Sequence, residues 1–348
     1  MNIRQATDRD LDKWDNFVTS HAASTPYHLF AWTRAVQNAY GFNSFNLIAE
    51  EGERLAGIFP LTLLKIPCKR PQLVALPYCD IGSLLATSPE AEAALLEEAI
   101  ALAGTHNASA LDIRGEISFD QAKIAAYPMQ EITNKVRMLL PLPHSSTALW
   151  QGFKAKLRSQ VKKAEKNGLT FQFGNEKIDD FYAVFSTNMR DLGSPVHAKK
   201  WFEEIVGQFA DNAKIGLVSY QEKVIGAGII LRVGDKISIP WASTLRTHNR
   251  FGPNMLLYWK FLEYAADNGC TAFDFGRSTP EEGTYNFKGQ WGAEPQPLIW
   301  HKIILDGNVQ KIQTGATQQR AIAEKIWRKF PLALANFLGP AVRKYISL

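Results

Sequence analysis

The stretch AFDFGRSTPEEGTYNFKGQW, Ala272 to Trp291, packs a strand, a turn and a charged return into consecutive residues. Ala272, Phe273, Asp274 and Phe275 form a short apolar run interrupted by one carboxylate, which reads as a strand, and Gly276 releases the backbone into a polar loop. In α/β proteins ligands gather outside the carboxyl ends of strands. Arg277, Ser278, Thr279, Tyr285 and Lys288 are therefore candidate binding residues by position alone.

Working outward, the chain reads twice. Phe45 to Glu50, Arg54 to Leu64 and Leu73 to Tyr78 are strand-like runs, followed by a helical pattern over Pro89 to Gly104 and a strand at Ala110 to Arg114. Lys214 to Tyr220, Lys223 to Val233 and Lys236 to Thr244 repeat the three runs, Asn254 to Asn268 repeats the helix, and Thr271 to Phe275 repeats the strand. Asp112 and Asp274 occupy matching third positions in Ala110 to Ile113 and Ala272 to Phe275. Helices precede each copy, at Asp8 to His21 and Phe30 to Tyr40, then at Ile178 to Met189 and Lys199 to Phe209. Val136 to Leu142 is expected to close the first sheet.

Three stretches carry a resemblance: the basic helix Phe153 to Gly168, the segment Asn249 to Asn268, and Asp274 to Leu298. Together they resemble the FemAB-like acyltransferases of the GNAT superfamily, closest to the subgroup associated with exopolysaccharide and exosortase (PEP-CTERM) systems. Fem transferases carry a Phe-Lys pair followed shortly by an aromatic residue and glycine, a pattern filled here by Phe287, Lys288, Trp291 and Gly292. The resemblance implies an α+β fold with mixed sheets, built as tandem GNAT-like domains. The expected division is 1–143, then 144–310 as the catalytic domain, then a basic amphipathic tail over 311–348.

The resemblance also assigns roles. Lys288 is the expected stabiliser of the oxyanion in acyl transfer, against the alternative of a solvated lysine on a return strand. Asp274 either takes the amine proton or is a buried structural carboxylate paired with Arg277, and the recurrence of Asp112 near Arg114 favours the structural role. In GNAT folds the turn after the fourth strand holds the donor pyrophosphate. Here it offers Arg246, Arg250, Gly252 and the helix start at Asn254, but it departs from Q/R-x-x-G-x-G/A by having one glycine followed by Pro253. The matching turn of the first copy, Asp80 to Pro89, has Gly82 and no basic residue, which makes that copy structural or acceptor-shaping. Arg277, Ser278, Tyr285, Phe287 and Trp291 are expected to position the acceptor.

At 348 residues, 46% hydrophobic and 21% charged, the chain has ordinary globular composition with room for two domains. Its polar N-terminus does not read as a secretory signal and no apolar run is long enough to cross a bilayer, so a cytoplasmic protein is expected. Cys68, Cys79 and Cys270 form no C-x-x-C pair and the seven histidines show no ligand spacing, so no metal is expected.

The formal charge of +5 is concentrated. Lys154, Lys156, Arg158, Lys162, Lys163 and Lys166 face one acid, Glu165, in the basic helix. Lys156 and Lys163 are candidates for holding phosphates of a nucleotide- or lipid-linked acceptor or of tRNA, with a solvated helix face as the alternative and no pattern for sequence-specific nucleic-acid binding. The donor is expected to be acyl-CoA, an acyl carrier protein or aminoacyl-tRNA, and the acceptor an amine-bearing sugar or cell-envelope precursor. The tail Gln318 to Leu348 alternates basic and apolar residues and either packs on its own domain or lies on the inner face of the membrane. A degenerate binding module without catalysis remains the competing reading.

Overall fold

The computed structural model describes residues 1–117, 127–307 and 318–347. The chain divides into two compact units: Met1–Val136 with Pro297–Ile312 and Tyr345–Leu348, and Arg137–Gln296 with Gln313–Lys344.

The first unit begins with β1 (Asn2–Gln5), α1 (Leu11–Ser20) and α2 (Phe30–Tyr40). β2 (Asn43–Glu51) and β3 (Arg54–Leu64) form an antiparallel hairpin, and β4 (Gln72–Ala75) and the short β5 (Leu85–Ala86) both pair with β3. α3 (Pro89–Thr105) starts where the Ser88 hydroxyl accepts from Ala91 N–H, with Pro89 in the first turn where its missing donor costs nothing. Its buried Ala91, Leu95, Ala99 and Ala103 follow a four-residue spacing and pack on the sheet with Phe59, Leu61 and Leu111. β6 (Ala110–Ile113) returns parallel to β4.

The second unit opens in β7 (Met129–Pro141), from Arg137 onward, and continues through α4 (Ser146–Gly152), α5 (Ala155–Lys166) and β8 (Leu169–Phe173). Next come α6 (Ile178–Leu192), α7 (Lys199–Phe209) and three antiparallel strands, β9 (Ala213–Tyr220), β10 (Lys223–Val233) and β11 (Lys236–Thr244). α8 (Pro253–Asp267) leads to β12 (Ala272–Ser278), followed by α9 (Gly283–Gly289) and β13 (Glu294–Ile304). The last elements are α10 (Gln318–Trp327) and α11 (Leu332–Arg343), so the tail is two helices separated around Pro331 rather than one.

Strand order is β1-β2-β3-β4-β6-β13 in the first unit and β7-β12-β11-β10-β9-β8 in the second. The expected strand at Val136 to Leu142 falls in β7, which from Arg137 onward belongs to the second unit and runs beside β12. The first sheet is closed instead by β13, whose His301 to Ile304 pair antiparallel with Ile113 to Ala110. Period-2 alternation marks a strand but leaves its partner undefined, which is the physical reason for the difference.

Candidate active site

The site in the second unit starts from a parting of strands. β11 and β12 pair in parallel at Lys236, Ile237 and Ser238 with Ala272, Phe273 and Asp274. Beyond Asp274 no further register between them exists among the described residues, so Phe275 to Ser278 and Ile239 to Thr244 diverge toward their carboxyl ends. That is where a ligand meets unpaired backbone groups in an open sheet. The first unit has the corresponding break after Val74 and Asp112, but it is plugged. Gly82 and Arg114 exchange both main-chain hydrogen bonds at 2.9 and 2.7 Å, and the buried Arg114 guanidinium donates to the Leu76 and Cys79 carbonyls. A Cβ on Gly82 would come within 2.6 Å of the Ala75 carbonyl oxygen, which explains the glycine there.

Asp274 is buried at the parting point. Its Oδ2 accepts from Arg137 Nε at 2.9 Å and from Ser238 Oγ at 3.4 Å, while Oδ1 accepts from Gly276 N–H at 2.7 Å. The cation paired with Asp274 is thus Arg137 on β7, not the expected Arg277. Asp112 likewise lies 3.6 Å from Lys302 on β13 rather than forming the expected pair with Arg114. In both copies the carboxylate answers a cation from the closing strand, and this common pattern speaks for a structural role.

Lys288 lies in α9, a helix, where a return strand was the alternative expectation. Its buried ammonium donates to the carbonyls of Gly276 at 3.1 Å and Arg277 at 2.7 Å, so it is fixed at the tip of β12. Phe287 and Lys288 are neighbours on this helix, whereas a strand would have sent them to opposite faces, and Trp291 follows in the turn after it. Trp291, fully buried, meets Phe153 edge-on at 5.5 Å, Phe287 at 6.3 Å and Tyr258 at 6.4 Å. Tyr258 on α8 stacks on Phe275 of β12 at 5.6 Å, and burial pushes its phenol well above the ordinary range, so it acts as a neutral wall. Buried as it is, Lys288 carries a charge that solvent screens poorly.

Ser278 Oγ and Trp291 Nε1 are buried and have no hydrogen-bond partner. Such groups are costly, and they are the kind a bound substrate satisfies. Arg277, Tyr285 and Phe287 are half-buried on the same loop and helix, while Glu281 and Glu282 are exposed.

A second cluster forms at the start of α8. The turn Arg246–Phe251 is a 3-10 turn ending at Gly252, whose φ of +81° is a left-handed conformation that suits glycine. Gly252, rather than Asn254, is the residue that caps α8, with Pro253 at its first position. Arg246 and Arg250 are exposed, and the Arg250 guanidinium lies over the Phe251 ring at 4.8 Å. Phe251 in turn stacks on Tyr220 at 4.4 Å.

The basic helix α5 adjoins this turn. Leu157, Val161 and Ala164 bury one face, and Asn167 Nδ2 donates to the Phe251 carbonyl at 3.1 Å. The opposite face opens onto a depression of about 530 Å³ lined by Trp150, Ala155, Arg158, Ser159, Lys162, Lys163 and Lys166. Of the two candidate phosphate holders, Lys163 lines this depression, and Lys156, although exposed, is not among its lining residues. Arg158, Lys162 and Lys166 were not singled out in advance, yet their four-residue spacing was the available signal.

Residues 151–289 match the acetyltransferase (GNAT) domain family. The crystal structure of FemX superposes with a TM-score of 0.69 at 18% identity, covering 88% of this chain and 98% of that one, a likeness of fold. The chain thus shares the fold of FemX, and its segment 151–289 is similar to GNAT acetyltransferase domains. Among curated relatives it is 23% identical over 166 residues to the UDP-N-acetylmuramoylpentapeptide-lysine N(6)-alanyltransferase of Weissella viridescens, covering 46% of this chain. That alignment spans about half, 49%, of the relative's length. It is 19% identical over 372 residues to the lipid II:glycine glycyltransferase of Staphylococcus saprophyticus, covering 80% of this chain and 88% of the relative. The matched segment contains α5, the α8 turn, β12 and Lys288, while Arg137, Trp150 and Trp291 lie outside it.

Proposed function

We propose that this FemAB-like protein is an N-acyltransferase that forms an amide on an amine of a cell-envelope precursor, exopolysaccharide precursors included. The observation that carries the reading is the buried Lys288 ammonium fixed at the tip of β12, where β11 and β12 have parted. The acceptor nitrogen attacks the donor carbonyl carbon, an N–C bond forms, and the carbonyl electrons move to oxygen beside Lys288. Collapse of that oxyanion expels the donor's sulfur or oxygen, which takes up the proton that the amine releases. Asp274 is a positioning residue in this scheme, because its oxygens are already engaged by Arg137, Ser238 and Gly276. Ser278 Oγ and Trp291 Nε1 would meet polar groups of the acceptor, with Arg277, Tyr285 and Phe287 around it.

The donor is an acyl group on a phosphate-bearing carrier. Pro253 removes one N–H from the start of α8, which weakens the case for a coenzyme A pyrophosphate seated there. The basic depression on α5, next to the turn carrying Arg246 and Arg250, suits a longer polyanion. Aminoacyl-tRNA is therefore the favoured donor, in keeping with the alanyl and glycyl transfers named for the two relatives.

Mass-spectrometric detection of acylated acceptor tests the reading. Purified protein would be supplied in parallel with acyl-CoA, acyl carrier protein and charged tRNA, with amino-sugar and peptidoglycan-precursor acceptors. Product only with charged tRNA, abolished by RNase, is expected. Product with acyl-CoA alone would replace the tRNA donor. Acceptor binding without product from any donor would favour the non-catalytic module.

A further inference from the structure

Six of the ten large hydrophobic side chains that are exposed among the described residues gather at one region of the second unit: Leu192, Ile322, Ile326, Leu334, Phe337 and Val342. α11 presents three of them, Leu334, Phe337 and Val342, against the usual rule. Its small residues Ala335 and Gly339, one turn apart, are the buried ones, and a Cβ on Gly339 would come within 3.0 Å of Val196 N. Leu334 and Phe337 face outward, with Phe337 79% exposed. An ordinary surface helix turns its bulky apolar stripe to the core, so a helix that buries alanine and glycine while displaying leucine and phenylalanine is arranged for another surface.

α10 extends the same face. Arg328 Nη2 donates to the Leu192 carbonyl at 3.2 Å, holding α10 to the end of α6, and Arg190 Nη1 donates to the Phe330 carbonyl at 3.2 Å. Ile322 and Ile326, four residues apart, are exposed, as are Lys325, Arg328 and Lys329 between and after them. Gln318 to Ser347 contains six basic residues and one acid, Glu324, an excess of +5 that equals the formal charge of the whole chain.

We infer that α10 and α11 form a docking face for an anionic lipid surface. Apolar side chains that project singly among cations match a bilayer interface, where acyl chains lie beneath phosphates. Among the described residues no helix is long and apolar enough to cross a membrane, so the two helices lie in the interface rather than span it. The inference is independent of the acyl-transfer reading, since it uses none of the residues around Lys288.

Co-sedimentation of the full-length protein with phospholipid vesicles tests it. Vesicles of phosphatidylcholine containing about one-third phosphatidylglycerol should bind the protein, pure phosphatidylcholine should not, and raising salt should weaken binding. The double variant Leu334→Glu with Phe337→Glu, at exposed positions, should keep the wild-type melting curve and lose roughly tenfold or more in vesicle affinity. Wild type that ignores anionic vesicles, or a folded variant that binds them equally, would overturn the inference. So would a wild-type dimer that the variant dissociates in the absence of any vesicle binding, because the face would then be a self-association surface.

Discussion

Lys288 Nζ donates to the Arg277 carbonyl at 2.7 Å, which ties a buried cation on α9 to the last residues of β12. A buried ammonium is costly to desolvate, and the Gly276 and Arg277 carbonyls offset part of that cost. The acyl-transfer proposal gives that buried charge a task, stabilising the oxygen of a reacting carbonyl.

The Asp274–Arg137 pair should behave as scaffold. Arg137→Met leaves a 4% exposed carboxyl side chain without its cation and should destabilise the protein by about 3 kcal/mol, read as a lower denaturation midpoint. Asp274→Asn should lower the rate without removing either limb of the pH–rate profile. Loss of the acidic limb alone would make Asp274 a proton acceptor instead.

Charge reversal on α5 should separate two lysines that look equivalent in sequence. Lys162→Glu, in the depression, should raise KM for a phosphate-bearing substrate several-fold at low salt, with kcat nearly unchanged. Lys156→Glu, outside it, should do much less, and equal effects of both would point to general attraction by the helix.

Thiol chemistry checks the packing of both units. Cys68 is exposed, whereas Cys79 and Cys270 are buried and burial pushes both thiols up. A thiol-specific reagent should modify one cysteine rapidly in the folded protein and the other two only on unfolding. Fast labelling of Cys79 would mean that the plug held by Arg114 opens.

Acid should loosen the second unit through His197. Burial, and to a smaller degree the nearby Arg343, holds this imidazole well below its ordinary range, so the folded state favours the neutral form. A group with a depressed folded pKa contributes stability above the unfolded value, near 6.5, and loses it as pH falls below that. Denaturation midpoints should drop between about pH 7 and pH 5, and His197→Phe should flatten that slope. An unchanged slope would assign the acid sensitivity elsewhere.

Much of the fold was legible because its signals are local. The helices expected from Pro89 and from about Asn254 are present, and the two strand–hairpin–strand–helix–strand runs stand close to where the sequence puts them. The closing strands were not legible, since β7 and β13 have similar patterns and their partners lie far away in sequence. For the same reason Arg137, 137 residues from Asp274, could not be named as its partner. Phe287, Lys288 and Trp291 were found by motif, but the helix that carries Phe287 and Lys288 has only seven residues, too short to announce itself. The basic helix was evident, while the choice of Arg158, Lys162 and Lys166 over Lys156 required knowing which face Leu157, Val161 and Ala164 bury.

The central claim is that Lys288 stabilises the transition state of acyl transfer, and Lys288→Met tests it most directly. The substitution keeps the side chain's length and apolar body, so its stability should stay within about 2 kcal/mol of wild type. Product formation from charged tRNA or another acyl donor should fall at least about a hundredfold in this folded variant, with substrate affinity little changed. A folded Lys288→Met protein that turns over at the wild-type rate would contradict the account.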